Sequence, residues 1–516
     1  MTASRTRGVT RQQWLIMGGA ALISILAHTL TNGNYGIFRD ELYYWDSTRH
    51  VAWGYVDHPP LSIAVLKLSV MLFGDSVGAL RIVPALCGGL LIILIGVMAA
   101  EFGADRFGVL LASLSALTVP LYLVNTGFYS MNALDLVLWA LLFYVLVRII
   151  RTRRDRLWIA FGILLGLAAL NKLSVAAFVV ALIPALLLTG HAHVLTTRQF
   201  WLGAIIAVVL VAPFVAWQVI HEWPTLEFIR NAAQYKIVEH SFPSYLQEQI
   251  LPMGAGLLPV WVLGLVALLV WRPLRPYRLL GIIWLGALLF FGLQRSKPYY
   301  LSTAYAPLYA AGATLIAHWI RPWGKGVRIA VSTLVVVTIL ASAAATAPLT
   351  LPVLPPTQLV EYTSDIGMIP SAGERGDMPA LPQYYADRFG WEAMTATVAD
   401  VYHSLPDSLR RTCTIIARNY GETGALNYYG REYGLPRVMS QHNSHYLWGY
   451  GSADGNVLLT VNYNPDDLRN TYANVRVLDT FGSRWAMPYE TDAPICLCTG
   501  LLVPWEEAWR RGKLYL

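Results

Sequence analysis

Eleven apolar stretches punctuate the first two thirds of the chain, at 13–32, 82–100, 107–131, 133–147, 157–171, 173–190, 199–220, 249–271, 279–294, 299–320 and 329–351. A helix rises 1.5 Å per residue, so about 20 apolar residues cross a hydrocarbon core of roughly 30 Å, and fewer suffice where flanking side chains snorkel. The pattern predicts an all-α membrane bundle of about eleven transmembrane helices. The first run, Trp14 to Leu30, follows Arg5, Arg7 and Arg11 as in a secretory signal. No small-residue cleavage pattern follows it, and more runs come later, so it reads as an uncleaved first span.

The basic residues between the runs set the orientation. With the N-terminus inside, the segments 1–12, 101–106, 148–156, 191–198, 272–278 and 321–328 hold 16 Lys and Arg. The opposite segments, though nearly twice as long, hold 9. An odd number of spans then places everything after about residue 352 outside the cytoplasm. The outer segments are also the elaborate ones, which on one face of a bundle marks where function concentrates. Segment 33–81 contains an apolar stretch, 61–73, too short to span and suited to a helix lying in the membrane interface. Segment 221–248 is similarly mixed.

The character of the chain changes at Pro352, Pro355 and Pro356. Beyond them Thr414–Ala417 reads as a short buried strand, followed by a polar turn at Asn419–Glu422 and a helical stretch to Tyr429; Val457–Val461 reads as a second strand. The expected organisation is a transmembrane domain over 1–351, with interfacial helices in the outer loop 33–81, and an extracytoplasmic α/β domain over 352–516.

Composition agrees with this picture. Hydrophobic residues make up 56% of the chain and charged residues 13%, and the mean hydropathy is +0.48. The net charge of +7 is dispersed over short segments and forms no nucleic-acid-binding stripe. Of the four cysteines, Cys87 lies in an apolar run as a small hydrophobe, while Cys413 could pair with Cys496 or Cys498 in an oxidising compartment.

Candidate chemistry clusters on the outer side. Asp40 and Glu41 follow the first span, where carboxylates are costly unless solvated or paired; the alternative is that Asp40 caps an interfacial helix and Glu41 is solvated. In Asp57-His58-Pro59-Pro60 the prolines fix the backbone, so His58 either points into a site or caps the helix that follows. Asn132 and Asp135 share a helix face within an apolar run, and Lys172 ends another, as a functional cation or a snorkelling one. Arg295, Lys297, Tyr299 and Tyr300 place two cations and two aromatics in one short loop. That combination suits a lipid phosphate, or an aromatic belt with ordinary flanking charges. No phosphate-cradling glycine loop, nucleophile elbow or thiolate zinc motif occurs in the membrane region.

Taken in order, Arg39-Asp40-Glu41, Gly54 to Pro60, Ala79-Leu80-Arg81-Ile82-Val83-Pro84-Ala85, Asn171-Lys172-Leu173-Ser174 and Lys297-Pro298-Tyr299-Tyr300 resemble the glycosyltransferase family 39 group of the GT-C fold. That group includes protein O-mannosyltransferases and bacterial aminoarabinose transferases that modify lipid A, and the likeness covers about the first 320 residues. The resemblance implies a transferase in the cell inner membrane that takes a sugar from a polyprenyl-phosphate donor to an extracytoplasmic acceptor: lipid A, glycolipid, polysaccharide or protein. It makes Asp40 catalytic with Glu41 in support, and His58, Arg81, Asn132, Asp135, Lys172, Arg295, Lys297, Tyr299 and Tyr300 substrate-binding. Where relatives carry a second acidic residue in the next outer loop, this chain has Asn132, with Asp135 one turn on. A divalent cation near Asp40, Glu41 and His58 remains open, and no metal ligand set is assigned. The alternative is a transporter or flippase of lipid-linked sugars, against which stands the lack of any repeat of span pattern between the halves.

Overall fold

The computed structural model describes residues 8–368 and 377–516. The chain forms two compact units: a helical unit of Met1–Asn32, Arg81–Val215 and Glu239–Val353, and a sheet unit of Gly33–Leu80, Ala216–Val238 and Leu354–Leu516. The C-terminal region therefore does not stand alone. Two loops that the sequence pattern grouped with the transmembrane domain pack with it in one unit.

Each of the eleven apolar runs contains a helix, yet among the described residues six helical stretches are long and apolar enough to cross a membrane: Arg11–Thr31, Val77–Glu101, Met131–Thr152, Arg198–Ile220, Arg272–Leu293 and Lys325–Thr350. The other five runs are shorter as helices, for identifiable reasons. The run 107–131 breaks into Arg106–Thr118 and Pro120–Asn125, because Pro120 holds Val119 extended at φ −66° and ψ 117°. The run 299–320 starts as a 3₁₀ segment, Pro298–Ala304, before the α-helix Ala306–Ile320. Leu157–Asn171, Ala176–Leu188 and Leu258–Val270 hold 13 to 15 residues, roughly 20 Å of helix. Eleven spans are thus not established by helix length; six are long enough on their own.

Within the helical unit, Arg11–Thr31 packs on Ile82–Glu101 and Arg106–Thr118, and Leu258–Val270 packs on Ala306–Ile320. That last pair touches backbone to backbone. A Cβ on Gly264 would collide with the Leu308 carbonyl, and one on Gly312 with the Val260 carbonyl. In a membrane, where helices gain little from hydrophobicity toward each other, such small-residue contacts are what lets dispersion hold a pair together.

The sheet unit contains four strands, β1 (Thr414–Ala417), β2 (Val457–Val461), β3 (Tyr472–Phe481) and β4 (Ala493–Leu501), in the order β1-β2-β4-β3. β1 and β2 are parallel, joined through the helix Tyr420–Tyr429, and the remaining pairs are antiparallel. The strands and helix read from sequence are present, and the sheet doubles in width with β3 and β4. Leu458, Tyr472, Cys496, Cys498, Trp505 and Trp509 form part of a core on the sheet.

This topology overturns the expected disulfide: all four cysteines are free and buried. Cys413 immediately precedes β1, whereas Cys496 and Cys498 lie on β4, and β2 runs between them. Two strand spacings amount to about 9–10 Å, beyond the roughly 7 Å Cα separation a disulfide can bridge. Burial pushes the Cys498 thiol up to about 12 and the Cys413 thiol up to about 11, so neither is poised to react.

Gly264→Ala, placed against backbone that cannot yield, is expected to cost about 1–3 kcal/mol or more. Gly18→Ala, which meets nothing within 4 Å, should change stability by less than about 0.5 kcal/mol. Thermal unfolding of both variants in the same detergent checks the difference; equal effects would count against the Gly264–Gly312 contact.

Candidate functional site

The sequence-predicted residues fall into two sets, one in each unit. In the sheet unit the helix Arg39–Ser47 organises the first set. Its N-terminus carries Asp40 and Glu41 in the first turn, where carboxylates face the positive end of the helix dipole. The two acids then part company. Glu41 is 1% exposed and turns back to accept the Phe38 amide at 2.8 Å, closing its own helix. The alternative reading of the pair, with Asp40 as the cap and Glu41 solvated, is not what the structure shows: Glu41, one residue on, reaches back to the residue before the helix.

Asp40 is half-buried and accepts the Tyr420 hydroxyl at 3.1 Å. Burial pushes its carboxyl above the ordinary aspartate range, against the pull of the Lys236 and Arg39 charges and the Tyr420 hydrogen bond, while the neighbouring Asp57 charge pushes it further up. Arg39 itself is locked: it donates to the Tyr489 hydroxyl at 2.5 Å, lies 3.9 Å from Glu490 and stacks 4.4 Å over the Tyr420 ring. Tyr420 is held from behind by its helix. Asn419 caps that helix, and Glu422 accepts the Arg418 and Asn419 amides at 3.0 and 3.1 Å and the Asn462 amide group at 2.6 Å.

Beside Asp40, the Tyr43 hydroxyl bridges Asp57 and Ser444, each at 2.8 Å. Further along the helix Asp46 accepts from Asn427 at 2.9 Å and meets His445 Nε2 at 3.0 Å. These hydrogen bonds hold the Asp46 carboxyl below the usual range despite its burial. Asp46 stands at the edge of a cavity of about 360 Å³ that Arg49, Arg431 and Arg437 also line.

His58 is turned inward, and among the described residues its Nε2 has no hydrogen-bond partner. It is fully buried among the rings of Tyr43, Tyr44 and Tyr55, with Nδ1 3.0 Å from the Pro59 carbonyl oxygen. The Pro-Pro pair fixes the backbone as expected, but turns the imidazole inward. With Glu41 and His58 so engaged, the three residues considered for a divalent cation do not converge. Among the described residues no group of three or more His, Cys, Asp and Glu is arranged to hold a metal.

In the helical unit Lys172, Asn132 and Asp135 meet. Lys172 Nζ donates to Asn132 Oδ1 at 2.7 Å and lies 3.9 Å from Asp135 Oδ2, which also accepts the Ser174 hydroxyl at 2.9 Å. The ammonium lies 5.2 and 4.5 Å from the ring centres of Tyr299 and Tyr300. A side chain 7% exposed and so surrounded is no snorkelling lysine. Asp135, at 1% exposure, serves as the carboxylate partner of this cation.

The remaining cations lie elsewhere. Arg81, fully buried, donates to the carbonyl of Asn32 at the end of the first helix, where a cation complements the dipole. It pins that helix end. Arg295 is exposed and ion-paired to Glu239. Lys297 is half-buried at the start of the 3₁₀ turn that presents Tyr299 and Tyr300. Tyr420, Lys236, Tyr43 and Ser444 were not singled out in the sequence. Tyr420 is 380 residues from Asp40, and no local pattern links them.

Residues 57–217 match the family model described as dolichyl-phosphate-mannose-protein mannosyltransferase. The match includes His58, Arg81, Asn132, Asp135 and Lys172 and stops short of Asp40 on one side and Lys297 on the other. Among solved structures, ArnT from Cupriavidus metallidurans in the apo state superposes with a TM-score of 0.62 at 16% identity, over 94% of this chain and 97% of that one. ArnT bound to undecaprenyl phosphate gives the same score and identity over 95% and 98%. The archaeal oligosaccharyltransferase AglB from Archaeoglobus fulgidus, in complex with an inhibitory peptide and a dolichol-phosphate, gives 0.51 at 14% identity over 83% and 64%. No curated protein sequence matches the chain. The fold is that of the GT-C glycosyltransferases, membrane proteins with transmembrane helices. Within that class, the chain resembles the glycosyltransferase family 39 group.

Lys172→Met would strand the buried Asp135 carboxylate, at an expected cost of about 3–5 kcal/mol. Adding Asp135→Asn should recover most of that loss, because no charge is then left unpaired. Unfolding of both variants in detergent tests the pairing, and losses that simply add would refute it.

Proposed function

We propose that the protein transfers a sugar from a polyprenyl-phosphate donor to an extracytoplasmic acceptor, with Asp40 as the catalytic carboxylate. The observation that carries this reading is the setting of Asp40: half-buried at a helix N-terminus, more basic than an ordinary aspartate and aligned by Tyr420. A carboxylate so tuned is a better proton acceptor near neutral pH than a solvated one. The donor class is supported by the undecaprenyl phosphate and dolichol-phosphate held by the structurally similar ArnT and AglB. A lipid-linked donor also needs no nucleotide site, and none is visible in the sequence.

In the proposed reaction the acceptor oxygen attacks the anomeric carbon while the bond from that carbon to the phosphate oxygen breaks. Asp40 takes the proton of an acceptor hydroxyl, and the polyprenyl phosphate leaves with the bonding electron pair. A single displacement inverts the anomeric centre. Lys172, in the helical unit, is assigned to the phosphate on its chemistry: Asn132 occupies one ammonium donor, and the tyrosines at its side suit an interface with lipid. Glu41 and His58 take no chemical role. They hold the helix that presents Asp40. Arg49, Arg431 and Arg437 favour an acceptor that carries a negative charge.

Asp40→Asn is expected to abolish release of polyprenyl phosphate in lipid nanodiscs while the protein still assembles. Near-normal turnover would sink the mechanism, and movement of the sugar-lipid between leaflets without release would favour a flippase. For the wild type, kcat/KM should fall with acid through an apparent pKa above the ordinary aspartate value of about 3.9. Tyr420 stabilises the ionised carboxylate, so Tyr420→Phe raises that pKa and should move the acid limb to higher pH. An unmoved limb would remove Asp40 from the proton transfer. Arg437→Gln should raise KM for an anionic acceptor with kcat unchanged.

A further inference from the structure

Arg106 opens the helix Arg106–Thr118, Arg321 follows the last residue of Ala306–Ile320, and Arg328 lies in the first turn of Lys325–Thr350. All three line one cavity of about 480 Å³ in the helical unit, together with Ser332, Thr333 and Ile329. Two of these arginines sit at helix N-termini, where the dipole disfavours a cation. Asp105 also lines the cavity, and its carboxylate accepts the Gly108 amide of its own helix at 3.0 Å. Some basic residues of this unit are paired within it: Arg148 and Arg151 share Glu101, and Arg278 donates to the Leu269 carbonyl at 2.7 Å. Among the described residues the side chains of Arg106, Arg321 and Arg328 have no such partner.

We infer that this cavity binds the headgroup of an anionic glycerophospholipid of the surrounding bilayer. A phosphate there would answer three guanidinium groups, two positive helix ends and two hydroxyls. The occupant is a membrane lipid because the cavity continues onto apolar helix surface. Only 6% of the apolar window of Lys325–Thr350 is buried within the structure, leaving a greasy wall for acyl chains beside the arginines. Basic pockets between transmembrane helices recognise such headgroups, above all on the cytoplasmic side, to which the basic-residue bias assigns the segments 101–106 and 321–328.

The test is native mass spectrometry of the delipidated full-length protein, titrated with phosphatidylglycerol, cardiolipin, phosphatidylcholine, polyprenyl phosphate and inorganic phosphate. The anionic glycerophospholipids should bind at least about tenfold more tightly than phosphatidylcholine, and less tightly as salt rises. R106Q/R321Q/R328Q should lose that preference, whereas R154Q/R156Q/R275Q, with equal loss of charge on equally exposed arginines that do not line the cavity, should keep it. Undiminished lipid preference in the first variant would overturn the inference. So would binding of inorganic phosphate as strong as that of lipid, or a preference confined to polyprenyl phosphate. If the triple variant does not fold, the three single variants and the wild-type salt series decide: binding indifferent to both refutes the site.

Discussion

The sheet unit depends on one close approach, that of the helix Arg39–Ser47 to the helix Tyr420–Tyr429. A Cβ on Gly424 would come within 2.8 Å of the Leu42 carbonyl carbon, and one on Gly421 within 2.5 Å of Arg39 Cγ. The first obstacle is backbone, which cannot step aside, so any side chain at 424 would force the helices apart. The helices run parallel. Asp40 meets Tyr420 at one end of the pair, and Asp46 meets Asn427 at the other. Two parallel N-termini then point their dipoles the same way, which concentrates positive potential where Asp40, Glu41 and Glu422 lie. That field offsets part of what burial costs these carboxylates.

The same geometry explains why two adjacent acids behave differently. Glu41 faces back along its helix and accepts the Phe38 amide. Asp40, rotated by about 100° on the helix, faces Tyr420 and feels Lys236, Arg39 and Asp57, contributed by other turns and segments. The two acids of the pair thus have different surroundings, and the proposed chemistry falls to Asp40. Which surroundings each meets depends on the direction its side chain takes, a quantity sequence spacing does not contain.

Legibility in the sequence followed the range of the interactions. Hydrophobic runs report a local requirement, and each of the eleven holds a helix; where the runs break, a proline or a 3₁₀ turn intervenes. Thr414–Ala417 and Val457–Val461 were readable because both are short, apolar and bounded by turns. β3 was not, since its exposed alternation of Asn474, Val475, Arg476 and Val477 has little apolar weight until β4 pairs with it. The cluster of Asn132, Asp135 and Lys172 was half legible: the shared helix face was visible, and the 40-residue closure between Asn132 and Lys172 was not. Arg81 and His58 show the same limit: the Asn32 carbonyl that Arg81 donates to and the Pro59 carbonyl beside His58 Nδ1 are contacts the sequence does not display.

On the proposed reaction, the tension at Asp40 between burial and charge is itself informative. A carboxylate withdrawn from water becomes a stronger base and, by the same shift, spends more time protonated. Complete burial without cations would leave it neutral and useless as a proton acceptor. Full exposure would leave it ionised but too weak to take a hydroxyl proton, and would admit water to compete with the acceptor. Half-burial, with Lys236, Arg39 and Tyr420 opposing the desolvation, lies between these limits. It raises the proton affinity of the carboxylate while these neighbours favour its ionised form. Tyr420 contributes to that balance through its hydrogen bond to the carboxylate, and it stands on the helix whose packing depends on Gly421 and Gly424. On the proposed reaction, the setting of Asp40 and the packing of these two helices are therefore one constraint: a change that separates the helices would withdraw Tyr420 from the carboxylate.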